Sequence, residues 1–389
     1  MNRIYLDYSA TTPLDPRVME AMASVFAHTF GNASSVHSFG REARTILEGS
    51  RESVARSIGA RLDEVFFTSG GTEADNHAIK GLAAAGARKG KNEIVTSTVE
   101  HHAVLLPVEA LQKAGFDVKF VPVDGFGRVD PADVKKSLGS KTALVSLMYA
   151  NNEIGTINDI RAIGAIAREA GIPLHSDTVQ AAGKIAVDVN ELNVDVLSIS
   201  AHKFYGPKGI GAIYIRKGTQ IDSFVQGGAQ ESNRRAGTEN VPLAVGFAKA
   251  SELGQESLQH NLSHVTVLKD HLRNLLESQF KGLLFNGHPT DCLPHILNIS
   301  FDSSVAELDG DALIMGMDLK GVAVTSGSAC TSGSLQASHV LLAIGRNEQT
   351  ARSTIRFSLG RDTTMQELDF AVAALKEVVG RAQKAGIYG

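Results

Sequence analysis

The chain has 389 residues, room for two or three domains at roughly 150 residues each and enough to bury a core without a disulfide or metal staple. Hydrophobic residues make up 43% and charged residues 21%, which excludes a disordered chain, and two cysteines, Cys292 and Cys330, exclude a disulfide scaffold. The 38 Lys and Arg against 42 Asp and Glu give a net charge of −4, so no direct nucleic-acid binding is expected.

Apolar runs stay far below the roughly 20 residues of a membrane helix, and residues 1–7 lack the apolar stretch of a signal peptide. The expectation is a cytoplasmic α/β protein. Ile4-Tyr5-Leu6 reads as a strand too short to stand alone, so the N-terminus is expected to join a later unit. From about Glu64 to Ile215, strands and helices alternate. Strands are predicted at residues 64–68, 93–96, 118–121, 143–148, 173–176 and 196–199, and helices over 72–88, 103–114 and 160–170. That alternation argues for a mostly parallel sheet covered on both faces. The texture changes after about Ser251. A helix over 258–280 is followed by short strands at 297–301 and 322–325, a Ser/Gly-rich stretch, a helix near 340–344, a strand at 354–359 and a final helix over 365–382. The expected division is a large domain, 15–258, and a smaller α+β domain built from 1–14 and 259–389.

Ligands of parallel sheets bind beyond the carboxyl ends of the strands. The polar residues just past the predicted strands are Ser69 to Thr72, His101, Asn151-Asn152, Asp177 with Gln180, and Ser200 to Lys203. Gly70-Gly71-Thr72 opens a helix, whose free N–H groups suit a phosphate. No Walker or G-x-G-x-x-G pattern is present, which disfavours nucleotides. Lys203 stands between His202 and a Gly-Pro turn, and a lysine among cationic or apolar groups forms Schiff bases. A phosphate cradle, a Schiff-base lysine and a carboxylate for a pyridinium nitrogen, here Asp177, together point to pyridoxal phosphate. Cys330, flanked by small polar residues, reads as an accessible thiol, and Cys292 as a packing residue. Taken singly, an ordinary βα turn, a solvated lysine and a loop cysteine are the competing readings.

Five stretches taken together resemble a family. They are Tyr5-Leu6-Asp7-Tyr8-Ser9-Ala10-Thr11-Thr12-Pro13, residues 68–76 (TSGGTEADN), Asn151-Asn152-Glu153-Ile154-Gly155, residues 200–209 (SAHKFYGPKG) and Ser326-Gly327-Ser328-Ala329-Cys330-Thr331-Ser332. In order and spread they are similar to the cysteine desulfurases of the NifS/IscS type, within the class V aminotransferase group. The cysteine segment narrows the group to desulfurases.

The resemblance implies a fold type I pyridoxal-phosphate enzyme with a mostly parallel seven-stranded sheet, working as a homodimer. It implies conversion of L-cysteine to L-alanine, with the sulfur left as a persulfide on Cys330 for an acceptor protein. By the same resemblance, Lys203 would hold the cofactor and His101 would stack on its ring and assist proton transfer. Asp177 would pair with the ring nitrogen and Gln180 would reach the phenolic oxygen. Gly71, Thr72, Ser200 and His202 would cradle the phosphate, and Thr238 would reach the phosphate of the other subunit. Asn152 and Arg356 would bind the substrate carboxylate. No metal is implied. The chain ends about 30 residues beyond its 352–361 region, where scaffold-docking relatives carry a longer tail, so iron–sulfur assembly, tRNA thiolation and DNA phosphorothioation all stay open. A selenocysteine lyase or another enzyme of the group is the alternative.

Overall fold

The computed structural model describes residues 3–305, 308–327 and 337–385. Its strands are β1 (Ile4–Tyr5), β2 (Val65–Thr68), β3 (Glu93–Ser97), β4 (Asp117–Val121), β5 (Thr142–Ser146), β6 (Leu174–Asp177), β7 (Val196–Ser200), β8 (Gly211–Ile215), β9 (Leu283–Asn286), β10 (Ile296–Phe301), β11 (Val322–Ala323) and β12 (Thr354–Ser358). Seven of them form one sheet in the order β2-β8-β7-β6-β5-β3-β4. Every pairing in it is parallel except the two made by β8, so the other six strands point the same way. β2, β3, β5, β6, β7 and β8 are buried along their whole length, as the apolar runs require of strands covered on both faces. The expected mostly parallel, seven-stranded α/β architecture is what the chain adopts.

Four helices matter most for the site: α1 (Pro16–His28), α2 (Ser38–Ser57), α3 (Gly71–Ala87) and α4 (His102–Lys113). α3 lies on one face of the large sheet. Its Ala74, Ala78, Ile79 and Leu82 join Ile94, Leu144, Val196 and Ile213 in an apolar layer. The opposite face packs under α1, α2 and the first part of the helix Val241–Gln279. That helix is one continuous element of 39 residues, whereas periodicity suggested a start near Leu258. Gly246 lies within its first part. A Cβ there would stand 2.4 Å from Met22 Sδ and 3.0 Å from Pro207, so this glycine permits close helix packing and does not end the helix.

Val265, Leu268, Leu272 and Leu276 of the same helix enter a second apolar cluster with Ile4, Leu6, Ile299, Phe357 and residues of the helix Met365–Ala385. The antiparallel sheet β12-β10-β9 and the parallel pair β1-β11 belong to this region. The N-terminal strand has a distant partner: Ile4 pairs with Val322. Among the described residues no helix is long and apolar enough to cross a membrane.

Candidate active site

The residues past the carboxyl ends of β2, β3, β5, β6 and β7 converge, as the parallel topology requires. Lys203 closes a short 3-10 turn, Ala201–Lys203, directly after β7. Its Nζ donates to the backbone oxygens of Ser9 (2.6 Å) and Ala10 (2.9 Å). The N-terminal motif is laced onto the lysine segment at further points. Thr12 Oγ1 donates to the His202 oxygen (2.9 Å) and accepts from Tyr205 N–H (2.7 Å), and Thr11 Oγ1 meets His202 Nδ1 at 3.1 Å. Tyr205 has φ +67°, so these bonds hold a side-chain-bearing residue in left-handed backbone beside the lysine. Residues Ser9 to Thr12 are therefore part of the site.

Asp177 ends β6, buried, with Oδ1 accepting from Val179 N–H at 2.9 Å. Burial first, and the neighbouring Asp75 second, push its carboxyl up to about 7. A cationic partner would restore the anion, and a pyridinium nitrogen is one. His101 caps α4, its Nδ1 accepting from Ala103 N–H at 3.1 Å. Burial, then the Lys203 charge, lower it to about 4, so the ring is neutral near pH 7 and carries its proton on Nε2. Ligand atoms of Asp75, His101 and Asp177 lie within 4.8 Å of one another.

Gly71 opens α3 against the sheet. A Cβ there would stand 2.6 Å from Val179 Cγ2 and 3.6 Å from Ser200 Cβ, so the missing side chain leaves the cradle between the β2 and β7 ends. Thr72 is the next residue of the helix, and His202 follows one turn beyond β7. Burial, then Lys203, lower His202 to about 4. The candidate phosphate ligands Gly71, Thr72, Ser200 and His202 thus cluster around the ends of β2 and β7, which flank the start of β8. Gln180 Nε2 donates to the Ser9 oxygen at 2.9 Å, the same oxygen that accepts from Lys203.

Arg356 sits on β12 and is 2% exposed. Its Nη2 donates to Asp7 Oδ1 (2.9 Å) and its Nη1 to the Asn152 oxygen (2.7 Å), while its Nε is buried without a hydrogen-bond partner among the described residues. Ser9 Oγ is buried and, among the described residues, has no hydrogen-bond partner either. The guanidinium and Asn152 are thus together, with donor capacity to spare for a carboxylate. Cys330 lies outside the described residues. The described chain on either side of it meets Glu153: a Cβ on Gly327 would stand 3.3 Å from Glu153 Oε2, and Ser338 Oγ donates to that oxygen at 2.5 Å. Thr238 is exposed. Cys292 is half-buried, with Lys269 Nζ 2.9 Å from its sulfur.

Motif reading missed the polar layer under the site. Asp75 is 1% exposed, with His175 Nε2 at 3.5 Å. His175 is sealed between Ser146 Oγ (2.9 Å) and Ser198 Oγ (3.0 Å). Glu100, one residue before His101, accepts from Ser97 Oγ (2.6 Å) and Met148 N–H (2.9 Å). Burial pushes Asp75 up to about 7 and Glu100 up to about 8, and lowers His175 to about 4. A signal was present for Asp75: it is an acid on the apolar face of α3, beside Ala74, Ala78 and Ile79. Asp7, the partner of Arg356, carried no such mark.

An amine, an acid able to hold a ring nitrogen's proton, a glycine-lined helix start and an arginine fork suit pyridoxal phosphate and an amino acid. Comparison with known proteins agrees. A family model described as aminotransferase class-V matches residues 4–370. The chain is 49% identical over 385 residues to the cysteine desulfurase IscS of Dictyoglomus turgidum, covering 99% of this chain and 96% of that protein. A solved structure of a NifS-like protein superposes with a TM-score of 0.90 at 37% identity, over 97% of this chain and all of that one. The structure of SspA in complex with cysteine superposes with a TM-score of 0.80 at 32% identity, over 93% of this chain and all of that one.

Proposed function

The chain belongs to the aminotransferase class-V family, and from that premise we propose a division of labour among its residues. The protein is a pyridoxal-phosphate-dependent cysteine desulfurase, converting L-cysteine to L-alanine and leaving the sulfur as a protein-bound persulfide. The convergence of Lys203, Asp177 and His101 beyond the strand ends carries this reading of the chemistry. Similarity over almost the whole chain to a cysteine desulfurase supports the choice of substrate.

Bound pyridoxal phosphate supplies an electron sink that makes the Cα–H of an amino acid acidic. Lys203 Nζ would hold the cofactor and, once the substrate amine has taken its place, would be the free base for the substrate Cα proton. Asp177 keeps the proton on the ring nitrogen, and burial makes that pairing strong because a lone anion there is costly. Neutral His101 would stack on the ring and assist proton transfer. Gly71, Thr72, Ser200 and His202 would take the phosphate, and Gln180 would reach the phenolic oxygen. Arg356 and Asn152 bind the substrate carboxylate, the planar fork setting the amino acid's orientation. The Cys330 thiolate attacks the substrate sulfur and the C–S bond breaks. The organic remainder takes a proton at Cβ, regains at Cα the proton held by Lys203 and leaves as alanine, and the persulfide sulfur passes to an acceptor protein.

The two apolar clusters support a division into a cofactor-binding domain, 15–258, and a domain of 1–14 and 259–389 that carries Cys330. We read the active form as a homodimer in which Thr238 serves the other subunit's phosphate. The test is to give the cofactor-loaded full chain L-cysteine and a reductant, and to quantify alanine and sulfide with and without a keto acid. Equal alanine and sulfide without keto acid is expected. A strict need for keto acid would make the protein an aminotransferase, and turnover of L-selenocysteine alone would make it a selenocysteine lyase.

A further inference from the structure

Three consecutive residues of the short helix Gln230–Asn233 and its start take left-handed backbone: Glu231 (φ +45°), Ser232 (φ +53°) and Asn233 (φ +63°). Residues with a Cβ rarely enter that region, and a run of three persists only where the surroundings impose it. Those surroundings are well defined. Glu231 is buried, and its carboxylate accepts from Arg51 Nη1 (2.5 Å), Arg51 Nη2 (2.9 Å) and the Phe67 N–H (2.8 Å). Arg51, buried on α2, also donates to the Val65 oxygen at 3.0 Å and lies 4.9 Å over the Phe67 ring. A buried ion pair is a poor device for raising stability, because desolvation offsets the attraction. Its directional bonds do fix a geometry that apolar contacts would leave free.

The segment that follows is tied down at two more points. Gln230 Oε1 accepts from Gly237 N–H at 3.0 Å, closing residues 230–237 into a loop. Arg235 makes two bonds, 2.8 and 3.2 Å, to Glu73, the residue after Thr72 in the phosphate cradle. Gly237 (φ +109°) then presents Thr238, exposed, at the far side of that loop.

We infer that the buried Arg51–Glu231 pair is a positioning device for Thr238: by holding Glu231, Ser232 and Asn233 left-handed, it sets where the closed loop presents the Thr238 hydroxyl to the cofactor phosphate of a second copy of this chain. The inference rests on the homodimer reading above, in which Thr238 acts across the interface. Arg51 and Glu231 are positioning residues and touch no substrate.

The test is a double-mutant cycle read as pyridoxal-phosphate affinity, from titration of the full-length apo-protein by visible absorbance. Sedimentation and thermal melting are run on every variant. Thr238→Ala is expected to weaken affinity about tenfold, the loss of one hydrogen bond to a charged group. Glu231→Gln keeps the side-chain volume and is expected to weaken it by a similar factor. The double variant should be no weaker than Glu231→Gln alone, because the misplaced hydroxyl has already ceased to contribute. Losses that multiply to about a hundredfold would show that Glu231 acts on stability and not through Thr238, and would overturn the inference, as would unchanged affinity in Glu231→Gln. Unchanged affinity in Thr238→Ala would overturn the reading beneath it. If Glu231→Gln does not fold, the pair Arg51→Met with Glu231→Leu, which leaves no lone buried charge, takes its place under the same criteria.

Discussion

Lys203 Nζ stands 2.6 Å from the backbone oxygen of Ser9, although 194 positions separate the two residues. Gln180 shares that oxygen, and Ser9 N–H in turn donates to Ser358 Oγ at 2.9 Å. One turn of the N-terminal segment therefore joins the lysine after β7, the loop after β6 and the end of β12. The lysine is aimed by backbone carbonyls, whose positions a side-chain substitution at Lys203 leaves in place.

Lys203→Ala is accordingly expected to keep the fold and lose the chemistry. Visible cofactor absorbance should vanish after desalting, and alanine formation should fall by about a thousandfold or more, the scale of losing a general base. Far-ultraviolet circular dichroism should match the parent. Turnover at the parental rate would remove Lys203 from the mechanism.

Arg356 has two partners whose needs differ. Lysine at this position keeps a charge for Asp7 but loses the planar fork. Arg356→Lys should raise KM for L-cysteine about tenfold, more than it lowers kcat. Arg356→Ala should also lower thermal stability, by about 3–5 kcal/mol, because Asp7 is left without its cation. Steady-state kinetics and urea titration separate the two effects.

Gly71→Ala would put a Cβ 2.6 Å from Val179 Cγ2, and a β-branched neighbour has little room to turn away. The start of α3 must then lift from the β7 end. A stability loss of about 1–3 kcal/mol is expected, with weaker retention of pyridoxal phosphate on dialysis. Parental retention would show that this helix start does not hold the phosphate.

Stability should respond to pH with a sign set by the buried acids. Asp75 and Asp177 are raised to about 7 and Glu100 to about 8, all first by burial, so the folded chain binds more protons than the unfolded one above pH 4. Their contribution is present at low pH and is lost as pH rises through 7 to 8. His101, His175 and His202, lowered to about 4, act in the opposite sense, but only between pH 4 and 6.5. From pH 6.5 to 8 the acids act unopposed by these histidines, and the cofactor-free protein should lose stability. Asp75→Asn should lose less over that interval. Urea midpoints at pH 6.5 and 8 for both proteins test this, and identical shifts would refute the assignment to Asp75.

Cys330→Ala should abolish sulfide release while L-cysteine still perturbs the cofactor spectrum. Cys292→Ser should be nearly silent, because a hydroxyl can still accept from Lys269. Loss of activity in both variants would mean that the two thiols act together.

Local requirements were readable along the chain. A helix opening directly after a strand needs small residues, and Gly70-Gly71-Thr72 shows it. A lysine between His202 and a Gly-Pro turn shows no structural task in the sequence, and Asp177 ends a buried strand. Such features depend on neighbours in sequence, because backbone conformation and strand-end position are local properties. The six aligned strands then bring these ends together whatever the loops do. Packing alone decided the rest. The Ser9 carbonyl on Lys203, Asp7 on Arg356 and Arg51 on Glu231 join residues more than 170 positions apart. No periodicity encodes such a pair, since each partner satisfies its charge or its hydrogen bonds only after the chain has closed around it. The same holds for the acids under the site: nothing in the identity of Asp75 or Glu100 raises its pKa, and the desolvation that does so is a property of the assembled core.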